Sequence, residues 1–347
     1  MVTDRRLDGG GSGTLYGADG VFRFQKNYRL EWQALFSHTK EPRNASLTSG
    51  ISSRQAHFGR GKYTTAFDGE SFNGEAVYAS FEREAKHWNF DFDYWASSPT
   101  FRADNGFVTR NDDRRASFWT GYFFYPNNKI FDRISPALIA GRFWNYSGVR
   151  KDNWIRPRIN VQFKKQTQVF LGSVFSTERF RDIEFSGIRR LELNVNSDFS
   201  KPVTLGLWFS YGRSIARNLS TPVLGRGFDF QTWSTIKPIQ RLVVQPEFSY
   251  SELNNPNGAE IFSGYILRNR VNYQFTRELF LRLIVQYNNF GNELSLEPLL
   301  SYKLNPFTIF YLGAAQQYLD LDPTIGPRDF TQTSRQFFMK FQYLVRI

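Results

Sequence analysis

The chain of 347 residues contains no cysteine, 2 methionines and 3 histidines. Without cysteine it has neither a disulfide scaffold nor a thiolate metal site. The histidines, His38, His57 and His87, are far apart in sequence, and neither Gly-x-Ser-x-Gly nor His-Glu-x-x-His occurs. A run of about 18 apolar residues is also missing, which excludes a membrane-spanning α-helix. The N-terminus lacks the apolar stretch and small-residue cleavage site of a secretory signal. Its Gly9-Gly10-Gly11-Ser12-Gly13 segment has no phosphate-loop lysine, so residues 1–13 read as a flexible tail.

Aromatic residues are abundant: 36 Phe, 17 Tyr and 8 Trp. That much apolar surface rules out disorder, yet mean hydropathy is only −0.47. A polar average with many aromatics implies that the two kinds of residue are sorted onto different surfaces. Lys and Arg number 44 against 32 Asp and Glu, a formal charge of +12. Such a balance suits nucleic acid, an anionic membrane surface or an anion-lined channel.

The sorting has a period of two. Leu191, Leu193 and Val195 alternate with Arg190, Glu192 and Asn194; Trp88, Phe90, Phe92 and Tyr94 alternate with Asn89, Asp91 and Asp93. The pattern recurs in 153–164, 240–252 and 278–289, and about 17 such segments are found between 14–25 and 334–347. Most are about 10 residues long, the length of a tilted strand crossing a bilayer. The arginines lie on the face opposite the aromatics, so no base can stack beside a phosphate contact, and nucleic acid is set aside as a partner.

Connections sort by length as well. Segments 25–27, 84–86, 165–166, 200–201, 237–238, 276–277 and 305–306 are short. The interleaved 40–72, 98–113, 177–187, 215–225, 253–262 and 319–333 are longer, with 126–132 and 290–292 as exceptions. Tight turns at one rim and long loops at the other predict an all-β, transmembrane antiparallel β-barrel of about 16–18 strands in the bacterial outer membrane. On this reading 14–347 form the barrel, with periplasmic turns, extracellular loops, and outer-membrane lipid and lipopolysaccharide as surroundings. Arg43, Arg54, Arg60 and Lys62, in the longest loop, are placed to meet lipopolysaccharide phosphates. Phe337, Met339, Phe341, Tyr343, Val345 and Ile347 form an alternating terminal face that resembles the signal read by the barrel-assembly machinery. Closed single-chain barrels have an even number of strands, so a count of about 17 implies a miscount or a strand lost before Met1, and with the absence of a signal sequence this leads to the expectation of a C-terminal portion of a longer exported precursor.

Tyr16–Gly20 (Tyr-Gly-Ala-Asp-Gly), Ser98–Asp112 and Leu299–Gly313 together resemble a C-terminal outer-membrane β-barrel domain of unknown function in Bacteroidota-type proteins. In that family the barrel follows a family-9-like carbohydrate-binding module. The resemblance implies a periplasmic module of that kind as a partner in the same precursor, and it is the source of any hydrolase or carbohydrate label.

Alternation places Arg156, Arg158, Arg190, Arg241, Arg268, Arg270 and Arg282 on the lumen side. They form either an anion-selective wall or, with Glu192, Glu247 and Glu297, a cross-strand charge ladder that fills the lumen, the ladder being the favoured reading. Loop 98–113 carries Phe101, Arg102, Asp104, Phe107 and Arg110, and either constricts the lumen or caps the outer rim. No catalytic residue, metal ligand or cofactor is assigned, and the barrel is expected to serve passage or docking without catalysis. Two alternatives stay open: a surface hydrolase using His38 or His57 with a Ser and a carboxylate at the outer rim, and a soluble β-sandwich or propeller.

Overall fold

A computed structural model describes residues 1–48, 57–108, 110–305, 307–321 and 329–344. The strands are β1 (Val2–Arg6), β2 (Ser12–Phe24), β3 (Tyr28–Lys40), β4 (His57–Phe58), β5 (Tyr63–Thr64), β6 (Ser71–Arg83), β7 (Trp88–Ser97), β8 (Asp113–Tyr122), β9 (Phe131–Trp144) and β10 (Arg150–Phe163). They continue with β11 (Thr167–Phe180), β12 (Ile183–Ser197), β13 (Val203–Ile215), β14 (Leu224–Ile239), β15 (Leu242–Asn254), β16 (Glu260–Gln274), β17 (Leu279–Asn288), β18 (Glu293–Asn305), β19 (Thr308–Asp320) and β20 (Phe330–Tyr343). Eighteen of them belong to one sheet, and β4 and β5 form a separate hairpin inside the longest loop. Within the large sheet, consecutive strands pair antiparallel in chain order, for example β2 with β3, β3 with β6, and β12 through β20 in succession. This up-and-down connectivity is that of a β-barrel. Among the described residues no helix is long and apolar enough to cross a membrane.

The chain divides into two compact units, one of 1–124, 135–158 and 174–187, the other of 125–134, 159–173 and 188–347. In the first unit, register sets Leu30, Phe81, Phe92, Phe118 and Ala140 in one cross-strand row. One residue along, Glu31, Ser80, Asp93, Ser117 and Gly141 form the next row, on the opposite face. In the second unit, Leu193, Phe209, Phe230, Tyr250 and Tyr265 line up beside Glu192, Ser210, Asp229, Ser251 and Gly264. Each unit therefore has one apolar and one polar face, and slipping a strand by one residue would exchange them.

Large apolar side chains remain exposed on the apolar faces, among them Phe22, Phe36 and Trp88 in the first unit and Leu191, Leu267 and Leu312 in the second. At the short-turn end of the first unit, Phe24 stacks on Tyr28 at 5.5 Å, Tyr28 on Phe81 at 6.1 Å, and Phe81 meets Phe90 edge-on at 5.4 Å. Arg83 lies over the rings of Tyr28 and Trp88. An aromatic girdle with a cation reaching back over it belongs at a membrane–water interface.

Several expectations change. Residues 1–13 are not a flexible tail: β1 pairs with β2 from Val2 opposite Tyr16 to Arg6 opposite Ser12, and the terminal ammonium donates to Gly17 O at 2.8 Å. Connection 177–187 is not a long loop. Strands β11 and β12 run on to a two-residue turn, Arg181–Asp182, whose φ angles of 49° and 61° fit the primed hairpin turn that matches strand twist. Strands are longer than the apolar pattern, mostly 13–16 residues, because hydrogen bonding continues above the apolar band into segments whose outward residues are polar, such as Asn73 and Glu75. Strand β20 is exposed on both faces from Thr331 onward, and among the described residues its pairing partner is β19. In the terminal pattern Phe337, Met339, Phe341 and Tyr343 share one face of β20, while Val345 and Ile347 lie outside the described residues, as does Arg54.

Candidate functional site

The polar face of the first unit carries a cavity of about 470 Å³ lined by Asp93, Arg115, Trp119, Asp152, Arg156 and Glu178, among others. Arg156 and Arg158 sit two apart on β10, so alternation gives them the same face. Neither forms an ion pair among the described residues, and Arg158 Nε is buried without a hydrogen-bond partner.

The second unit holds the other predicted arginines in two states. Arg190 donates from Nε and Nη2 to Ser210 Oγ, at 3.0 and 2.7 Å, and from Nη2 to Asp229 at 2.5 Å. Ser251 Oγ donates to the other oxygen of Asp229 at 2.8 Å, closing a network over β12–β15. Arg268 stands opposite Glu247 at 3.8 Å. Arg270, opposite Gln245 and Ile284, and Arg282, opposite Asn272 and Leu299, have no acidic partner among the described residues, and their Nε atoms are buried and unpaired. Arg241 departs from the expectation. It lies in the turn before β15, exposed, and donates from Nη1 to Phe275 O, because β15 begins one residue later. A charge ladder thus describes Arg190 and Arg268 but not Arg156, Arg158, Arg270 or Arg282.

Loop 98–112 lies on the polar face of its own unit. Phe101 is 2 % exposed and packs with Leu15 of β2 and Ala76 of β6, with Leu35 and Ala103 around them. Gly74 makes room for it. Hydrogen bonds anchor the loop at several points. The Arg102 amide donates to Ser37 Oγ at 3.2 Å, and Asn111 Nδ2 donates to Pro99 O at 2.9 Å and Phe101 O at 3.3 Å. Strand β1 holds the loop from the other side, since Arg5 Nη1 donates to Asp104 O and Asn105 Nδ2 to Asp4 O, both at 3.3 Å. Arg110 reaches the ring of Phe143 on β9 at 4.4 Å. Phe107, by contrast, is 90 % exposed at the loop tip.

His38 Nδ1 and Asn73 Oδ1 are 2.8 Å apart, and His57 is exposed on the small hairpin. Among the described residues neither is hydrogen-bonded to a serine or a carboxylate. A different group, absent from the sequence reading, does assemble: the carboxylates of Glu41, Asp68 and Glu70 lie within 4.8 Å of one another. The spacing Asp68-Gly69-Glu70 is visible in sequence, but only the folded loop brings Glu41 to it, through its amide donating to Glu70 O at 2.9 Å. Burial, with the charges of Glu70 and Asp68, pushes the Glu41 carboxyl up to about 7.

No family model matches the chain, and no curated protein matches it. Among solved structures it is similar to the ferric enterobactin receptor PfeA of Pseudomonas aeruginosa at 9 % identity and a TM-score of 0.40, covering 97 % of this chain and 71 % of that one. The P. aeruginosa FpvA–pyoverdine–iron complex matches at 9 % identity and 0.45, covering 95 % and 58 %. P. aeruginosa OpdK with vanillate matches at 13 % and 0.38, covering 97 % and 93 %. The chain's own geometry carries the assignment: alternating faces, an exposed apolar side with an aromatic girdle, and consecutive antiparallel strands paired in ladders. It is a bacterial outer-membrane β-barrel.

Proposed function

We propose that this barrel passes small solutes across the outer membrane, with preference for anions, and that loop 98–112 narrows the path. The observation that carries this reading is the set of polar-face arginines without acidic partners, Arg156, Arg158, Arg270 and Arg282. A guanidinium keeps its charge at any physiological pH and offers a planar fork to carboxylates, phosphates and sulfates. In a wet lumen such groups raise the local concentration of anions and repel cations. The buried anchor Phe101 and the contacts of Arg102, Asp104 and Arg110 hold the loop against the polar face of the first unit, the face of Arg156 and Arg158, which supports a constriction rather than a free rim cap. The test is reconstitution in planar bilayers under a KCl gradient. The expected result is conductance with a reversal potential on the chloride side; cation selectivity, or no conductance, overturns the reading.

A further inference from the structure

We propose that Glu41, Asp68 and Glu70 form a calcium-binding site that ties together the two ends of the longest loop. Residues 41–44 run antiparallel to 67–70: the Glu41 amide donates to Glu70 O, the Asn44 amide donates to Phe67 O, and the backbones of Arg43 and Asp68 form an isolated antiparallel β-bridge. That pairing directs three carboxylates into a space where they lie within 4.8 Å of one another. Glu41 is only 7 % exposed, and its Oε2 is buried with no hydrogen-bond partner. An ionised carboxylate in that position needs a positive partner. Thr64 serves the rim instead, its amide donating to Glu70 Oε2 at 2.8 Å and its hydroxyl to Asp68 Oδ2 at 3.4 Å.

The charge of Arg102 acts on Glu41, but its bonds go elsewhere. Its Nη1 donates to Pro99 O and Phe101 O, at 3.2 and 3.0 Å, and its guanidinium lies over the rings of Phe58 and Phe72. Glu41 thus keeps a buried oxygen without a hydrogen-bond partner beside two further carboxylates. A cluster of carboxylate oxygens on irregular backbone suits calcium, which takes 6–8 oxygen ligands in flexible geometry, whereas magnesium demands a near-ideal octahedron. Such a site lies at the long-loop end, where a weak extracellular-type site has ion available.

Full-length protein refolded in detergent free of lipopolysaccharide and stripped with chelator should bind one calcium per chain by isothermal titration calorimetry, with Kd of about 10⁻⁴–10⁻³ M. Glu41→Gln and Asp68→Asn should each weaken binding about tenfold or more. Heat-modifiable gel mobility shows whether the variants retain the barrel, and calcium should slow hydrogen exchange in 57–70 of the wild type but not of Asp68→Asn. No binding up to about 10 mM, wild-type affinity in both variants, or magnesium binding as tight as calcium overturns the proposal.

Discussion

Phe101 rests on the bare backbone of Gly74: a Cβ built at Gly74 would come within 2.3 Å of Phe101 Cα and 2.4 Å of its nitrogen. The clash is with main chain, which cannot rotate away, so this glycine in β6 serves a close backbone approach. Gly74→Val should therefore lift loop 98–112 off β6 while leaving the ladder with β3 in place. Trypsin should then cut after Arg102 and Arg110 faster than in the wild type, and single-channel conductance should rise. Unchanged cleavage would show that the loop is not held at Gly74.

Phe101→Ala tests the same contact from the loop side. Truncating a buried phenylalanine costs about 3–5 kcal/mol, and here the loss falls on docking of one loop rather than on the whole sheet. Hydrogen exchange of the Phe101 and Arg102 amides should accelerate by about two orders of magnitude or more, while amides in β12–β16 keep their protection. Global loss of protection would mean that the loop is integral to the barrel's stability.

Much of this architecture was legible in the sequence because a strand's period of two is imposed on every residue it contains. Arg190 to Asn196 already separated into the two faces that the register later paired with Tyr211, Ser210 and Phe209. Positions where chain direction matters were not legible. The turn Arg181–Asp182 has no glycine to mark it, so the hairpin looked like a loop. Strand β1 carries charges on both of its faces, and only its ladder with β2 reveals it. The pairing of Arg190 with Asp229, and the lack of a partner for Arg282, depend on register across several strands, which alternation within one strand does not supply.

The acidic group in the long loop sets a pH dependence. Glu41 has a folded pKa of about 7 against an ordinary 4.5. Because the folded value is the higher, the folded loop binds the proton more tightly, and its stability is full below pH 4.5 and is lost as pH rises through 7. In chelator, exchange of the Glu41 and Asn44 amides, corrected for intrinsic rate, should be slower at pH 5 than at pH 8. Glu41→Gln should flatten that profile; an unchanged profile would assign the effect to another group.

Arg190, Ser210, Asp229 and Ser251 form a connected network on the second unit's polar face. Arg190→Ala leaves Asp229 with one hydroxyl donor and should lower stability in a urea refolding titration by about 1–3 kcal/mol. The double variant Arg190→Ala/Asp229→Ala should lose less than the sum of its parts, since neither change then strands a charge. Strict additivity would mean that solvent screens the pair completely.

The unpaired arginines separate a selective wall from a filled one. Replacing Arg158 by Gln removes a charge that has no ion-pair partner among the described residues, so no carboxylate is orphaned and folding should be little affected. The same holds for Arg270→Gln and Arg282→Gln. Arg268→Gln differs, because it releases Glu247 and adds a free negative charge. If the charges act on passing ions, chloride preference should fall stepwise as Arg158, Arg270 and Arg282 are replaced. Arg268→Gln should shift the reversal potential at least as far as Arg270→Gln does, since the freed Glu247 attracts cations. A reversal potential indifferent to all four substitutions would mean that ions do not pass along this wall.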